Sequence, residues 1–299
     1  MRIPRRSPPV PPLPVHQIPS PATERLRDAH GMSGPLEGKC IVIIGGTTGL
    51  GLSAARAVVA AGGRVVAVGR DPDNVAAAAA TLGSSARVVV GDATDPATAP
   101  AAIATAASGF GGFHGLYHVA GGSGRRRGDG PLHELTDDGW DFTLDLNLKS
   151  VFHSARAAVR QFLAQGSGGS IVHCGSVLGS SPSPKFFATH AYATAKAGVV
   201  GLSRATAARY AADGIRVNVL APGLVATPMS KRAQDDEAIL GFIRTKQPLD
   251  GGRIGLPEDL DAAIVWLLSD ASRFVTGQVI AIDGGWEVSE GRWTEANDE

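Results

Sequence analysis

The chain has 299 residues, a 43% hydrophobic share and an equal balance of 28 basic and 28 acidic side chains. Neutrality argues against the broad basic footprint that nucleic acid or an anionic membrane surface would demand, and no apolar run reaches the roughly 18 residues of a membrane span. Cys40 and Cys174, the two cysteines, both fall in strand-like apolar runs and read as small buried residues of a reducing, cytoplasmic compartment. His114, His118, His133, His153, His173 and His190 show no metal-like spacing, so no metal is expected.

Residues 1–31 differ in kind from the rest. They hold Pro4, Pro8, Pro9, Pro11, Pro12, Pro14, Pro19 and Pro21 among few apolar residues, which predicts a disordered or polyproline II segment. Arg2, Arg5 and Arg6 precede no contiguous apolar core, a poor secretory signal. A flexible tail, a Pro-rich docking peptide and sequence ahead of a start at Met32 all fit; the first and third are preferred.

From Met32 onward, short apolar runs alternate with Ala-rich stretches. Strands are predicted over 40–44, 64–68, 87–90, 115–119, 170–174, 216–221 and 278–282. Helices are predicted over 50–61, 73–82, 97–107, 136–164, 191–212 and 258–268. Continuous Val- and Ile-rich strands separated by helices imply a parallel sheet covered on both faces. Right-handed crossovers make this one doubly wound α/β Rossmann domain of about seven strands over 32–299. It divides into a cofactor half, about 36–135, and a catalytic half, about 136–288.

Three places carry chemistry. Directly after the first strand comes Gly45-Gly46-Thr47-Thr48-Gly49-Leu50-Gly51, followed by a helix. Strand, Gly-rich turn and helix N-terminus form a cradle whose backbone amides and dipole attract a pyrophosphate, although the spacing is GxxxGxG and not GxGxxG. Tyr192 and Lys196 stand four residues apart on the helix predicted over 191–212, so they share a face. An adjacent cation favours phenolate over phenol, and a phenol tuned that way can exchange a proton near neutral pH. Ser176 lies sixteen residues upstream of Tyr192, at the end of the fifth strand.

Together these residues resemble the short-chain dehydrogenase/reductase family, including its 3-oxoacyl-carrier-protein reductase-like members. Gly45, Gly49 and Gly51 match the cofactor loop, Tyr192 and Lys196 the catalytic pair, Ser176 the catalytic serine and Asn147 the helix asparagine. Pro222-Gly223-Leu224-Val225-Ala226-Thr227 resembles the segment that holds the nicotinamide amide, and Asp283-Gly284-Gly285 also fits. The resemblance spans about 36–288. Three departures stand out: Ile44 replaces the usual Thr, His118-Val119-Ala120-Gly121 keeps only its small last two residues, and the stretch from Ser176 to Tyr192 is longer than usual.

The resemblance implies interconversion of a ketone and a secondary alcohol by hydride transfer to or from NAD(P). Tyr192 would exchange the proton, Ser176 would hold the substrate oxygen, Lys196 would tune the phenol and bind the nicotinamide ribose, and Asn147 would order a water leading from Lys196 to solvent. Gly45, Thr47, Gly49, Leu50, Gly51, Ala120, Gly121, Pro222, Gly223, Val225 and Thr227, with Tyr192 and Lys196, are the expected cofactor contacts. After the second strand, Gly69 offers no carboxylate to a ribose 2′-hydroxyl, while Arg70 could pair with a 2′-phosphate, which favours NADP over NAD; Asp71, next in line, complicates that choice. Asp92 fits either a place beside the adenine ring or a helix cap.

The longer stretch after Ser176 brings Pro182, Pro184, Phe186 and Phe187, and the stretch 225–252 reads as a substrate loop. Ser176, Tyr192, Phe186, Phe187 and Met229, with Leu224, Leu240 and Phe242, make an apolar substrate mouth. Arg125-Arg126-Arg127 could meet a phosphate-bearing carrier but reads better as a solvated loop. A homotetramer is expected, with a dimer as fallback, because the family pairs the helices predicted over 136–164 and 191–212 and the last strand. The competing function is a catalytically silent NAD(P)-binding regulator or scaffold, which the intact Ser176, Tyr192, Lys196 and Asn147 count against.

Overall fold

A computed structural model describes residues 34–292; the Pro-rich segment 1–31 lies outside the described residues. Seven parallel strands form one sheet in the order β3-β2-β1-β4-β5-β6-β7: β1 (Cys40–Ile44), β2 (Arg64–Gly69), β3 (Ala86–Val90), β4 (Gly115–His118), β5 (Gly169–Cys174), β6 (Ile215–Pro222) and β7 (Val279–Ile282). Side chains alternate across it. Ile41 and Ile43 join one core with Ala54, Ala55 and Val58 of α1 (Gly49–Ala60) and Ile264 and Leu267 of α9 (Asp261–Leu268). Cys40, Val42 and Ile44 join the opposite core, where α3 (Thr98–Phe110) buries Ala99, Ala102, Ile103 and Ala106 at helical spacing. Small residues on that stripe let the helix lie close to the sheet. The doubly wound α/β fold expected from the pattern is the one observed.

The order reverses between β1 and β4, where a doubly wound sheet opens its ligand crevice at the carboxyl ends of the strands. The ladder stops there because Val119 and Ala120 both donate their amides to the Ile44 carbonyl, at 2.9 and 2.8 Å. The fourth strand therefore ends one residue before its expected bound. β7 likewise starts at Val279, because the Gln278 amide donates to the Asn218 side-chain oxygen at 3.1 Å.

Two larger departures concern the site. The helix predicted over 136–164 is divided into α4 (Asp137–Leu144), a π-turn (Asp145–Lys149) and α5 (Ser150–Gln165). Asn147 sits in the π-turn, where its amide donates to the Thr143 carbonyl at 3.0 Å and takes up an acceptor that the widened turn would otherwise leave. The stretch 225–252 is no simple loop: it contains α7 (Lys231–Gln234) and α8 (Glu237–Lys246), the latter capped by Asp236, which accepts from the Ala238 and Ile239 amides. The remaining helices are α2 (Pro72–Leu82) and α6 (His190–Tyr210).

Candidate active site

The Gly-rich turn closes on β4. Gly45 has φ 93°, and a methyl group there would sit 2.6 Å from the Ala120 amide nitrogen. A methyl on Gly51 would lie 1.9 Å from the Gly45 carbonyl, so the turn and the first helical residues need side chains that are absent. Gly49 faces Thr227, whose Cβ lies 3.3 Å from where its own would be. The turn, the end of β4 and the segment after β6 thus border one crevice above the switch point, with Leu50 and Thr48 at the start of α1.

At the end of β2 the packing fixes what can stand there. A Cβ on Gly69 would come 2.1 Å from the Thr47 hydroxyl oxygen, so the buried Thr47 excludes any carboxylate from position 69. Asp71 is occupied as the cap of α2, accepting from the Asn74 amide at 2.9 Å. Arg70 is exposed between them. Asp92 accepts from both the amide and the hydroxyl of Thr94, at 2.9 and 2.8 Å, closing a turn instead of capping α3. The Thr94 amide, opposed by burial and helped by the Thr94 hydroxyl and Arg70, holds its carboxyl below the usual range.

Across the crevice, α6 carries Tyr192 and Lys196. The Lys196 ammonium lies 5.5 Å from the Tyr192 ring centroid, is buried, and donates to the Cys174 carbonyl at 2.7 Å. That bond ties α6 to the end of β5, two residues before Ser176. Ser176 opens the turn Val177–Gly179, its hydroxyl accepting from the Leu178 amide at 3.2 Å. A methyl on Gly179 would lie 3.0 Å from the Ala197 amide nitrogen, so the turn rests on α6 beside Lys196. Asn147 is fully buried and brackets Gly122, accepting from its amide at 3.0 Å and donating to its carbonyl at 2.9 Å. A methyl on Gly121 would meet the Asn147 side-chain oxygen at 2.7 Å and the Lys196 ammonium at 3.6 Å. Ser176, Tyr192, Lys196 and Asn147, scattered in sequence, are brought together.

Several residues with no local sequence signal hold this arrangement. The buried Asp129 accepts from the amides of Ala191 and Tyr192, at 3.0 and 3.1 Å, and so caps α6 from a loop sixty residues upstream. Gln247 accepts from the Leu224 amide at 2.6 Å and donates to its carbonyl at 3.2 Å, fixing the segment after β6. Trp286, buried near the end of the described chain, donates to the Ser181 carbonyl at 3.0 Å and meets Phe187 and Phe242 edge-on.

The apolar mouth is corrected in one respect. Phe186 and Phe187 are half-buried on the loop before α6 and Met229 is exposed, but Phe242 is buried in a cluster with Val177, Ile239, Ile243 and Trp286. Its ring lies 5.4 Å from that of Phe186, while Trp286 backs Phe187. The three adjacent arginines also separate: Arg127 lies over the Phe142 ring, Arg126 is exposed, and Arg125 turns back onto the loop, donating to the Phe186 carbonyl at 3.0 Å.

Behind Lys196, the in-register neighbours His118 and His173 are both buried. His118 pairs with Ser154 at 2.7 Å and Ser150 at 3.3 Å, and His173 with Ser203 at 2.8 Å. Burial, then the nearby Lys196, pushes the His173 imidazole down to about 3. His118 is likewise pushed far down, by burial first and then by His173 and Lys196. Among the described residues no three His, Cys, Asp or Glu side chains converge as a metal-holding group.

A crevice at the switch point of a doubly wound sheet, glycine-lined and faced by a Tyr–Lys pair and a serine, defines a nicotinamide-dependent oxidoreductase. A family model described as enoyl-(acyl carrier protein) reductase matches residues 45–287. The 2,5-dichloro-2,5-cyclohexadiene-1,4-diol dehydrogenase of Sphingobium indicum is 34% identical over 252 residues, 84% of this chain and 98% of that one. The 2-dehydro-3-deoxy-D-gluconate 5-dehydrogenase of Escherichia coli is 36% identical over 252 residues, 84% of this chain and 96% of its own. A short-chain type dehydrogenase/reductase from Mycobacterium ulcerans superposes with a TM-score of 0.78 at 32% identity, covering 86% of this chain and 92% of that one. The chain belongs to the short-chain dehydrogenase/reductase family. It is an oxidoreductase that interconverts a ketone and a secondary alcohol with a nicotinamide cofactor.

Proposed function

We propose that this chain is an NADP-preferring dehydrogenase/reductase in which Tyr192 is the general acid for carbonyl reduction and the general base for alcohol oxidation. The observation that carries the reading is the buried Lys196 ammonium, held by the Cys174 carbonyl beneath the Tyr192 ring and across from Ser176. A fixed cation there stabilises negative charge on the phenol oxygen as the proton moves. Ser176 donates its hydroxyl to the substrate oxygen, which carries more charge in the transition state than in the ground state. Asn147 keeps the loop at Gly121 and Gly122 in place beside Lys196, and a water at its edge completes the proton path to solvent.

The cofactor supplies or accepts the hydride. Gly45, Gly49, Gly51, Ala120 and Gly121 would receive its backbone closely, with Thr47 and Leu50 at the turn. Pro222, Gly223, Val225 and Thr227 would face the nicotinamide amide, and Asp92 would border the adenine. The preference for NADP rests on Thr47 filling the space at Gly69 and on Asp71 being taken up as a cap, which leaves Arg70 as the charge available to a 2′-phosphate. The substrate is a small carbonyl compound or alcohol entering beside Phe186, Phe187 and Met229.

We further propose a homotetramer in the cytoplasm. Phe152 and Leu163 are exposed on α5 and the edge strand β7 is only half-buried, apolar surface that a second copy would cover. Light scattering at micromolar concentration should give four times the chain mass; a monomer contradicts this. Among the described residues no helix is long and apolar enough to cross a membrane.

The test of the chemistry is Tyr192→Phe, assayed by NADPH oxidation against a carbonyl panel. We expect turnover to fall roughly 10²–10⁴-fold, with cofactor affinity by fluorescence titration within about threefold, a factor worth only about 0.65 kcal/mol. Unchanged turnover removes Tyr192 from the mechanism. Tight cofactor binding by the native protein with no turnover of any carbonyl favours the silent alternative.

A further inference from the structure

Phe186 is held from two sides. Arg125, in the turn after β4, donates to its carbonyl at 3.0 Å, and Arg232, on α7, donates to the same oxygen at 3.1 Å. Arg232 also lies over the Phe187 ring, and the Lys185 ammonium lies 5.7 Å over the Phe186 ring. Two cations from outside the loop that runs from Ser176 to Tyr192, and Lys185 of the loop itself, therefore gather around Phe186 and Phe187.

No salt bridge joins them, although the Asp129 carboxylate lies close enough for its charge to act on Arg125. Among the described residues neither guanidinium forms an ion pair, and a single carbonyl dipole serves both. The carboxylates on the same elements are committed elsewhere. Asp129 has one oxygen on the Ala191 amide and the other on the Tyr192 amide. Asp235 is paired with Lys231, Asp236 caps α8, and Glu287 takes the Ser180 hydroxyl. Partial burial, and then the nearby Arg232, lowers the Arg125 guanidinium from its ordinary range, with Asp129 acting the other way, and both arginine side chains stay open to solvent. Planar forks aimed at one point suit an oxyanion, because a carboxylate accepts two parallel N–H bonds from each guanidinium.

We propose that Arg125 and Arg232 form a carboxylate clamp at the substrate mouth, and that the ketone or alcohol turned over carries a carboxylate. This rests on the proposed reaction centre at Ser176 and Tyr192, since the clamp borders the loop between them. The clamp would fix the acid end of the substrate against Phe186 and Phe187 while its carbonyl reaches Tyr192. Both arginines are positioning and specificity residues, outside the proton path.

The test uses calorimetric titration of the full chain, saturated with oxidised cofactor, with cyclohexanecarboxylate and its neutral isostere cyclohexanecarboxamide. Neither probe has a reactive carbonyl, so binding is read apart from turnover. The acid should bind at least roughly tenfold tighter than the amide. Arg125→Gln and Arg232→Gln should each weaken the acid roughly tenfold and leave the amide unchanged. The lysine variants Arg125→Lys and Arg232→Lys should keep part of the preference, because the charge remains and the fork is lost. Arg126→Gln, in the same turn but without a bond to the Phe186 carbonyl, should change neither probe. Equal affinity for the two probes, or acid binding untouched by both glutamine variants, overturns the clamp. A protein that fails these titrations yet reduces neutral ketones through Tyr192 loses the clamp and keeps the reaction. One that passes them with Tyr192→Phe fully active keeps the clamp and loses the proposed acid.

Discussion

Arg70 is read differently once its neighbours are in view. In the sequence, Asp71 offered a carboxylate one residue away, and a 2′-hydroxyl could have used it. In the fold that carboxylate accepts from the Asn74 amide and is turned toward α2. Position 69 is closed to any side chain by Thr47. On the proposed preference for NADP, Arg70→Ala should raise the KM for NADPH at least roughly tenfold while moving that for NADH little, as expected for losing one charge-assisted contact. Steady-state kinetics with both cofactors reads this directly, and equal effects sink the NADP assignment. The same scale shows why Asn147 could be picked out from its motif while its partners could not. Gly122 and Thr143 are ordinary residues until the π-turn swings the Asn147 amide between them.

At the scale of the element, α6 matters most, and its N-terminus is unusual. Thr189 precedes it without a side-chain cap bond, and the capping comes instead from Asp129 on another loop. A carboxylate at a helix N-terminus satisfies two orphan amides and the dipole together. One of those amides belongs to Tyr192, so the cap also sets the height of the phenol above the crevice. Asp129→Ala should cost about 1–2 kcal/mol of stability, the range of lost caps, and should lower kcat more than it raises KM. Urea unfolding beside steady-state kinetics checks both parts; intact kcat at reduced stability would confine Asp129 to a structural role. Of the two helices within 225–252, α7 is too short at four residues to show a periodicity, whereas the ten-residue α8 carries Ile239, Phe242 and Ile243 at helical spacing and was legible in the chain. Both helices pack through Ala233, Ile239, Phe242 and Ile243 into the cluster that holds Trp286, Phe186 and Phe187.

For the whole molecule, the buried imidazoles tie stability to pH. His173 titrates at about 3 in the fold and near ~6.5 in an unfolded chain. Between those values the unfolded chain binds a proton that the native one refuses, so stability rises with pH across that window and is fully present above ~6.5. Moving from about pH 7 to about pH 5 should cost roughly 2 kcal/mol through His173 alone. His118, pushed down beside it, acts in the same direction. Chemical denaturation at intervals of pH should show the slope in the native chain and a shallower one in His173→Asn. An unchanged slope would mean that His173 is hydrated and not sealed behind Lys196.

Read alone, the chain gives the class of fold and the bounds of the seven strands to within a residue or two, and its family resemblance picks out Asn147, Ser176, Tyr192 and Lys196 as candidates. These are local matters: Val- and Ile-rich runs, a Gly-rich turn at a strand end, and a Tyr and Lys one helical turn apart are each legible within a dozen residues. What those groups face depends on the folded chain. Asp129 reaches α6, Gln247 holds Leu224, Trp286 props Phe187, and Arg125 and Arg232 meet at one carbonyl across sequence gaps that no periodicity spans. Side-chain chemistry is written in the chain, but which charge is neutralised, which glycine is crowded and which loop is pinned depends on neighbours supplied by the return of the strands to one sheet.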